Sequence, residues 1–534
     1  MVKKDKKNET LSLESVLWNC RVALRGYGST ERNRDAVIGL VFLKFAGDKF
    51  EKRREQIQEE HPGILMLQEM PESYNADNVY YLRETARWSY IVKNASSNEI
   101  AIIIDTAMKE IEEDNPSLNG TLPQNLYATL GASAGKIKSL IDEINKIHND
   151  SFQEEDLIGR VYEYFLQIYA ASGTKDDGEF YTPVSVVKLL TELIEPYDGV
   201  VYDPCCGSGG MFVQSMKFID RHKGNRNKVS IIGQESKPDT WKLCKMNLSV
   251  RGIAHDLGEK NASTFTDDQF KNRKVDYILA NPPFNLKNWR NKDELTDDPR
   301  FEGFSMPPVA NANYAWILHM ISKLDVSDGR AGFLLANGAL NASGAEYEIR
   351  KEILEENKDY VEAIIVLPRD MFYTTDISVT LWILNMNKKA RELNGRKLRN
   401  RKNEVLFMDL RTWNDNIEVI EIDKNKRKRK VAFTDEHIAK IKAIYNAWQE
   451  VDGDYEDVPE LCKSVSLEGK GGLRDKDYSL APSKYIEFID KDLGIDYETE
   501  MARIQDEMRI VLKKEKKSQQ MLEEAFRGIG YELD

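Results

Sequence analysis

No stretch of this chain approaches the roughly 18 uncharged apolar residues that a membrane-spanning helix requires, so a membrane role is not expected. Cysteine is sparse. The five present, Cys20, Cys205, Cys206, Cys244 and Cys462, form no C-x-x-C pair and have no histidine partner at zinc spacing. Neither a disulfide framework nor a metal site is expected. The opening MVKKDKKNETLSLES carries the positive charges of a secretory leader without the apolar run that would follow them, so a cytoplasmic protein is expected. An excess of positive charge is also missing. The net charge of -13 excludes a surface that is basic all round, and any polyanion would have to be met by basic residues acting locally. Two dense basic runs stand out, 396–402 (RKLRNRK) and 424–430 (KNKRKRK). Each reads either as a solvated loop between strands or as a phosphate contact.

What is present describes a globular chain of several units. Its 534 residues exceed one ordinary core, and 41% hydrophobic with 31% charged residues is an ordinary soluble balance. From Leu11 to about Glu60 the pattern is helical, with Ile38, Val41, Phe42 and Phe45 on one face. Segments 79–114 and 125–148 also read as helical, which predicts a mostly α-helical region over 1–150. Beyond it, β-rich apolar runs alternate with helical stretches: VVYD at 200–203, VSIIGQE at 229–235, VDYILANPP at 275–283, GRAGFLLAN at 329–337 and VEAIIVLP at 361–368. That alternation predicts an open α/β sheet with crossover helices, extended by VTLWILNM at 379–386 and EVLFMDL at 404–410. An acidic stretch at 450–460 precedes a glycine-rich turn, and the last 35 residues return to a helical pattern. No internal repeat is visible.

Two loops carry chemistry. VVYDPCCGSGGMFV runs a strand into Asp203 and then into a turn with Gly207, Ser208, Gly209 and Gly210 before a helix. Glycines there let backbone amides approach a ligand at the positive end of a helix. Glu235 ends the next strand, where an open sheet presents a carboxylate to ribose hydroxyls. A proline directly after the acid and adjacent glycines distinguish D-P-x-x-G-S-G-G from G-x-G-x-x-G, favouring S-adenosylmethionine over a dinucleotide. Cys205 and Cys206 within the loop read as small packing residues. The second loop is the tetrapeptide Asn281, Pro282, Pro283, Phe284 after the strand VDYILA. An exocyclic base amine is a poor nucleophile while its lone pair is delocalised into the ring. The Asn281 side-chain oxygen and the Pro282 carbonyl could accept from such an amine, the prolines could hold both acceptors in place beforehand, and Phe284 could stack on an extruded base. The sequence has no Pro-Cys dipeptide, and this chemistry needs no cysteine nucleophile.

In that order, Gly178-Glu-Phe-Tyr-Thr-Pro183, DPCCGSGG and NPPF resemble the modification subunits of type I restriction-modification systems, N6-adenine DNA methyltransferases. RGYGSTERNRDAVIGLVFLKFAGDKFE, NYAWILHMISKL, GRAGFLLANGAL and LPRDMFYTTDISVTLWIL extend the likeness through about residue 390. The resemblance implies a Rossmann-like S-adenosylmethionine-dependent methyltransferase domain over 151–480, an N-terminal helical domain over 1–150 and a helical tail over 481–534. It implies that Glu179, Phe180, Tyr181, Thr182, Pro183 and Val184 surround the cofactor with Asp203 and the 207–210 turn, that Glu235 holds the ribose, and that 281–284 form the target-base site. Its partners would be double-stranded DNA with a flipped adenine, a specificity subunit and a restriction subunit, with two modification subunits per complex. Where the family commonly has an aspartate before Thr-Leu, this chain has Ser263 before Thr264 and Phe265, a weaker acceptor for the cofactor's adenine. N4-cytosine methylation, a non-catalytic scaffold that binds the cofactor and a dinucleotide oxidoreductase stay as alternatives. Met501, Ile504, Met508, Val511, Leu522 and Ala525 share one 3-4 seam, interrupted by Glu515 and Ser518. A helix so marked either docks on a specificity subunit or folds back on its own chain.

Overall fold

A computed structural model describes residues 13–75, 79–147, 164, 182–355, 357–372, 375–423, 426–489 and 497–528. Among the described residues the N-terminal region holds α1 (Leu13–Ala23), α2 (Thr30–Glu60), α3 (Glu72–Asn75), α4 (Trp88–Lys93), α5 (Ile100–Asp114) and α6 (Ala134–Ile144). The single helical run expected up to Glu60 is broken at Gly26 and Gly28, whose φ of 90° and 53° no helix tolerates. Ser29 then caps α2 by accepting from the Arg32 amide at 3.3 Å. Ile38, Val41, Phe42 and Phe45 are buried together in the core of this region, as their spacing requires.

Two segments expected to be helical differ. Residues 79–83 run extended because the Asn115 side chain mimics a strand partner, accepting from the Tyr81 amide and donating to its carbonyl, both at 3.0 Å. Residues 125–133 form a loop because the Asp105 carboxylate on α5 takes the amides of Tyr127 and Ala128 at 3.1 and 2.8 Å. Those amides would otherwise seek helical carbonyls.

The expected α/β architecture follows. Nine strands form one sheet in the order β13-β10-β6-β7-β5-β4-β1-β2-β3. The central members are β1 (Gly199–Asp203), β2 (Val229–Gly233), β3 (His255–Asp256), β4 (Tyr277–Ala280) and β5 (Arg330–Ala336), all parallel. β6 (Val361–Val366) keeps that direction, and β7 (Val379–Asn385) inserts antiparallel between β5 and β6. Every residue of β5, β6 and β7 is buried, as expected of mostly apolar strands covered on both faces, and the polar members Arg330, Glu362, Thr380 and Asn385 are buried with the rest. Beyond β6 lies β10 (Glu404–Asp409), and β13 (Cys462–Ser466) closes that edge antiparallel. The sheet runs further than the sequence pattern indicated.

Four helices cover one face: α7 (Val184–Ile194), α8 (Gly210–Arg221), α9 (Pro238–Val250) and α12 (Asp435–Gln449). α10 (Asn313–Lys323) and α11 (Ala345–Leu354) cover the other. Two hairpins stand outside the sheet, β8 (Arg391–Leu393) with β9 (Arg396–Leu398), and β11 (Ile417–Asp423) with β12 (Lys426–Val431). Buried beneath the extension, Glu362 and Arg401 are both fully inaccessible and bond at 2.9 Å. Asn385 at 2.7 Å and Tyr445 at 3.0 Å also donate to that carboxylate, and Arg401 with these donors holds its pKa at about 2 against the penalty of burial.

The chain divides into two compact units, 1–486 and 487–534. The second contains α13 (Tyr497–Gly528), a 32-residue helix with no buried residue. No helix among the described residues is long and apolar enough to cross a membrane.

Candidate active site

Parallel pairing of β1, β2 and β4 sends their C-terminal ends to one edge, where the loops singled out in the sequence meet. Asp203 ends β1 and is nearly inaccessible. Its carboxylate accepts from the Cys205 amide at 3.0 Å, and burial raises its pKa to about 7 despite that bond. The turn beyond is fixed to its neighbours by the Cys206 amide on the Gln234 carbonyl at 2.9 Å and the Asn247 amide nitrogen on the Ser208 carbonyl at 2.8 Å. Gly207 has φ 53° and Gly209 φ 83°, both left-handed.

The glycines differ in purpose. A Cβ on Gly209 would lie 2.9 Å from the Cys244 sulfur on α9, so this glycine serves helix packing. A side chain there would disturb the fold before reaching any ligand. Cβ positions on Gly207 and Gly210 meet no atom within 4 Å. Open space therefore lies over the turn at the start of α8, and the Gly207 amide donates to Glu235 at 3.0 Å. The other Glu235 oxygen accepts from the Lys237 amide at 2.9 Å and the Ser236 hydroxyl at 3.3 Å. The oxygen that accepts from Gly207 retains a lone pair for a further donor. A glycine turn opening on free space, with a held carboxylate beside it, fits a cofactor with ribose hydroxyls.

Cys205 and Cys206 behave as packing residues. Burial and the neighbouring Asp203 push the Cys205 thiol well above its usual range. The Cys206 thiol, hydrogen-bonded to Cys244, is raised as well. Neither is poised to ionise as a nucleophile. Among the described residues no group of three or more His, Cys, Asp or Glu could hold a metal ion.

β4 delivers the tetrapeptide to the same edge. The Asn281 amide nitrogen donates to the Thr182 hydroxyl at 2.8 Å. Its oxygen is buried and has no hydrogen-bond partner. A buried acceptor left open is costly unless something else fills it, because its desolvation is uncompensated. Pro282 is buried, and half-buried Phe284 packs against the core on this side. Past the tetrapeptide the chain is braced by Asn313, whose oxygen accepts from the Asn285 amide and whose nitrogen donates to the Asn285 side chain, both at 2.9 Å. Sequence reading missed this brace and the link between Thr182 and Asn281, since 99 positions separate that pair and neither residue forms a motif with the other.

Of the segment expected at the cofactor, Glu179, Phe180 and Tyr181 lie outside the described residues. Pro183 and Val184 begin α7 directly after Thr182. Ser263 accepts from the Thr266 amide at 3.4 Å, and the neighbouring Thr264 hydroxyl donates to the Pro204 carbonyl.

In the first basic run the three arginines are engaged within the chain: Arg396 pairs with Glu195 at 2.9 Å, Arg399 with Glu404 at 2.9 Å, and Arg401 with buried Glu362. Lys397 and Lys402 are exposed. Of the second run, 424 and 425 lie outside the described residues, 426–430 lie in β12, and Lys430 is buried against Asp376 at 2.7 Å.

Comparison with known proteins matches 153–492 to the model of the N-6 DNA methylase family and 13–144 to that of the HsdM N-terminal domain. The type I restriction enzyme HindI methylase subunit of Haemophilus influenzae is 38% identical, over 81% of this chain and 93% of its own length. The type I restriction enzyme MjaIX methylase subunit of Methanocaldococcus jannaschii is 33% identical, over 98% of this chain and 92% of its own. A solved type I restriction-modification methyltransferase subunit from Streptococcus thermophilus shares the fold, with a TM-score of 0.71 at 24% identity, covering 89% of this chain and 99% of that one.

Proposed function

The chain belongs to the N-6 DNA methylase family as a modification subunit of the type I restriction-modification kind, and from that premise we propose that it methylates the N6 amine of adenine in duplex DNA, using S-adenosylmethionine. The single observation that carries this reading is the buried Asn281 oxygen, which has no partner within the chain while the nitrogen of the same amide is held by Thr182. An exocyclic amine donating to that oxygen would satisfy it.

Bound over the 207–210 turn, S-adenosylmethionine supplies a methyl group activated by its sulfonium. The chain's own residues do the rest. Gly207 and Gly210 leave room for close approach, and Glu235 offers a carboxylate to ribose hydroxyls. Asn281 and the Pro282 carbonyl accept hydrogen bonds from the two amine N–H groups, which draws the nitrogen lone pair out of ring conjugation and aims it across the crevice. Phe284 stacks on the extruded base. Acceptors fixed before the reaction need little reordering at the transition state, which is where such a site gains its rate.

Family membership supports assembly with a specificity subunit and a restriction subunit, and we read two copies of this chain per complex. The apolar seam of α13, with Met508 62% and Val511 61% exposed, supports that helix as the docking element. The test is methyl transfer by the purified complex of this chain with its specificity subunit, followed by mass spectrometry of the digested nucleosides. N6-methyladenine is expected. N4-methylcytosine would move the target to the other exocyclic amine, and no labelled nucleoside would leave a cofactor-binding scaffold.

A further inference from the structure

Apart from the run at 396–402, the densest positive charge lies on the β11–β12 hairpin, whose position the catalytic reading does not use. β6 is parallel to the central strands through its shared pairing with β7, so the chain after it, from Leu367, leaves from the same edge as Asn281 and Gly207. The hairpin sits on that loop. The Val431 amide donates to the Asp370 carbonyl at 3.0 Å, and Lys430 reaches the Asp376 carboxylate at 2.7 Å. That ammonium holds the Asp376 carboxyl below its usual range, with Lys428 adding to the effect. Between the hairpin and the start of α7 lies a cavity of about 230 Å³ lined by Pro183, Ser185, Met371, Glu418 and Lys430. The ribbon is therefore anchored on the chain that follows β6 and shares a cavity with Pro183, the residue after Thr182, which holds Asn281.

Strand alternation gives the ribbon two faces. Lys428 and Lys430 share the one that meets the acids of the loop. Arg427 and Arg429 lie on the other, opposite Glu421 and Val419 in the antiparallel register, and both are exposed, as is Val419 at 54%. A chain of net charge -13 has no general attraction for DNA, so a basic face at the catalytic edge has local consequence. Guanidinium groups suit phosphate because their planar fork donates two parallel hydrogen bonds, and a two-stranded ribbon is narrow enough to lie along or within a groove.

We propose that the outward face of this hairpin, through Arg427 and Arg429, is a contact for the DNA sugar-phosphate backbone that seats the duplex over the methylating edge. This rests on the reading of the chain as a DNA methyltransferase. Phosphate contacts position without selecting sequence, so the hairpin should strengthen specific and non-specific DNA alike.

The experiment compares wild type, Arg427→Gln/Arg429→Gln and Arg427→Lys/Arg429→Lys, each assembled with the specificity subunit. DNA affinity is titrated against salt on a cognate and a scrambled duplex. Loss of two phosphate contacts should flatten the slope of log affinity against log salt by about 2 on both duplexes in the Gln pair, while the Lys pair keeps the wild-type slope. KM for DNA should rise in the Gln pair with the affinity for S-adenosylmethionine unaltered. A Gln pair with the wild-type slope overturns the inference. So does a Gln pair that no longer co-purifies with the specificity subunit, which would make the ribbon a protein contact. Failure of the wild-type complex to methylate would overturn the functional reading alone, because the salt slopes are read from binding.

Discussion

Asn281 and Thr182 divide one task between them. The asparagine oxygen waits for a donor, and the threonine hydroxyl holds the amide so that the buried oxygen, and not the nitrogen, is left without a partner. Asn281→Ala should abolish methyl transfer with cofactor affinity nearly intact, since the barrier rises by about 3 kcal/mol or more when a pre-organised polar partner is lost. Near wild-type turnover in single-turnover assays would remove Asn281 from this role. Thr182→Val keeps the shape and deletes the acceptor. It should lower kcat about tenfold, the effect of about one hydrogen bond, with Thr182→Ser close to wild type. Equal losses in both variants would show that packing, and not the hydroxyl, is what matters. Asp203 offers a pH test. Its folded pKa of about 7 lies above the ordinary 3.8, so folding takes up a proton between the two values. Its contribution to stability is full below about pH 4 and is lost as pH rises towards 7, with a slope of at most about 1.4 kcal/mol per pH unit. Asp203→Asn should remove that slope, read as the difference between the two proteins' thermal midpoints from pH 4.5 to 7.5. Parallel profiles would mean that Asp203 is already ionised across the range.

At the scale of elements, the sheet's carboxyl edge collects the chemistry while its far side is fastened by charge. Glu362 on β6 and Arg401 before β10 form a fully buried pair, which explains why a run as basic as 396–402 folds inward. Removing either partner alone would strand the other in the core. The helix α13 presents the opposite situation. Its apolar side chains Met508, Val511, Met521 and Leu522 are each more than half exposed. An amphipathic helix of 32 residues, about 48 Å at 1.5 Å per residue, is long enough to lie along a partner's helices. Deleting 499–534 should leave a folded chain that binds S-adenosylmethionine in calorimetry, fails to co-purify with the specificity subunit and does not methylate DNA. A truncated chain that still assembles with unchanged affinity would exclude α13 as the docking element.

For the whole molecule, the central sheet was legible because β5, β6 and β7 are buried on both faces and are mostly apolar, which makes them visible without any partner even though Arg330, Glu362 and Thr380 interrupt the pattern. β13 was hidden because CKSVS is a short edge strand of mixed character whose stability comes from pairing with β10. The basic hairpins were hidden for a related reason: charge marks a surface but does not say whether a carboxylate 200 positions away will neutralise it, as Glu195 does Arg396. The two loops of the site were legible as motifs because close approach and rigidity restrict residue type. The bracing of the tetrapeptide by Thr182 and of the residue after it by Asn313 was not, since any polar side chain of suitable reach could have served. The most direct test of the central claim is single-molecule methylation sequencing of host DNA with and without this gene. The account predicts N6-methyladenine at a defined sequence context that disappears on deletion and is not restored by a copy carrying Asn281→Ala. An unchanged adenine methylation map, or loss of N4-methylcytosine in its place, would contradict it.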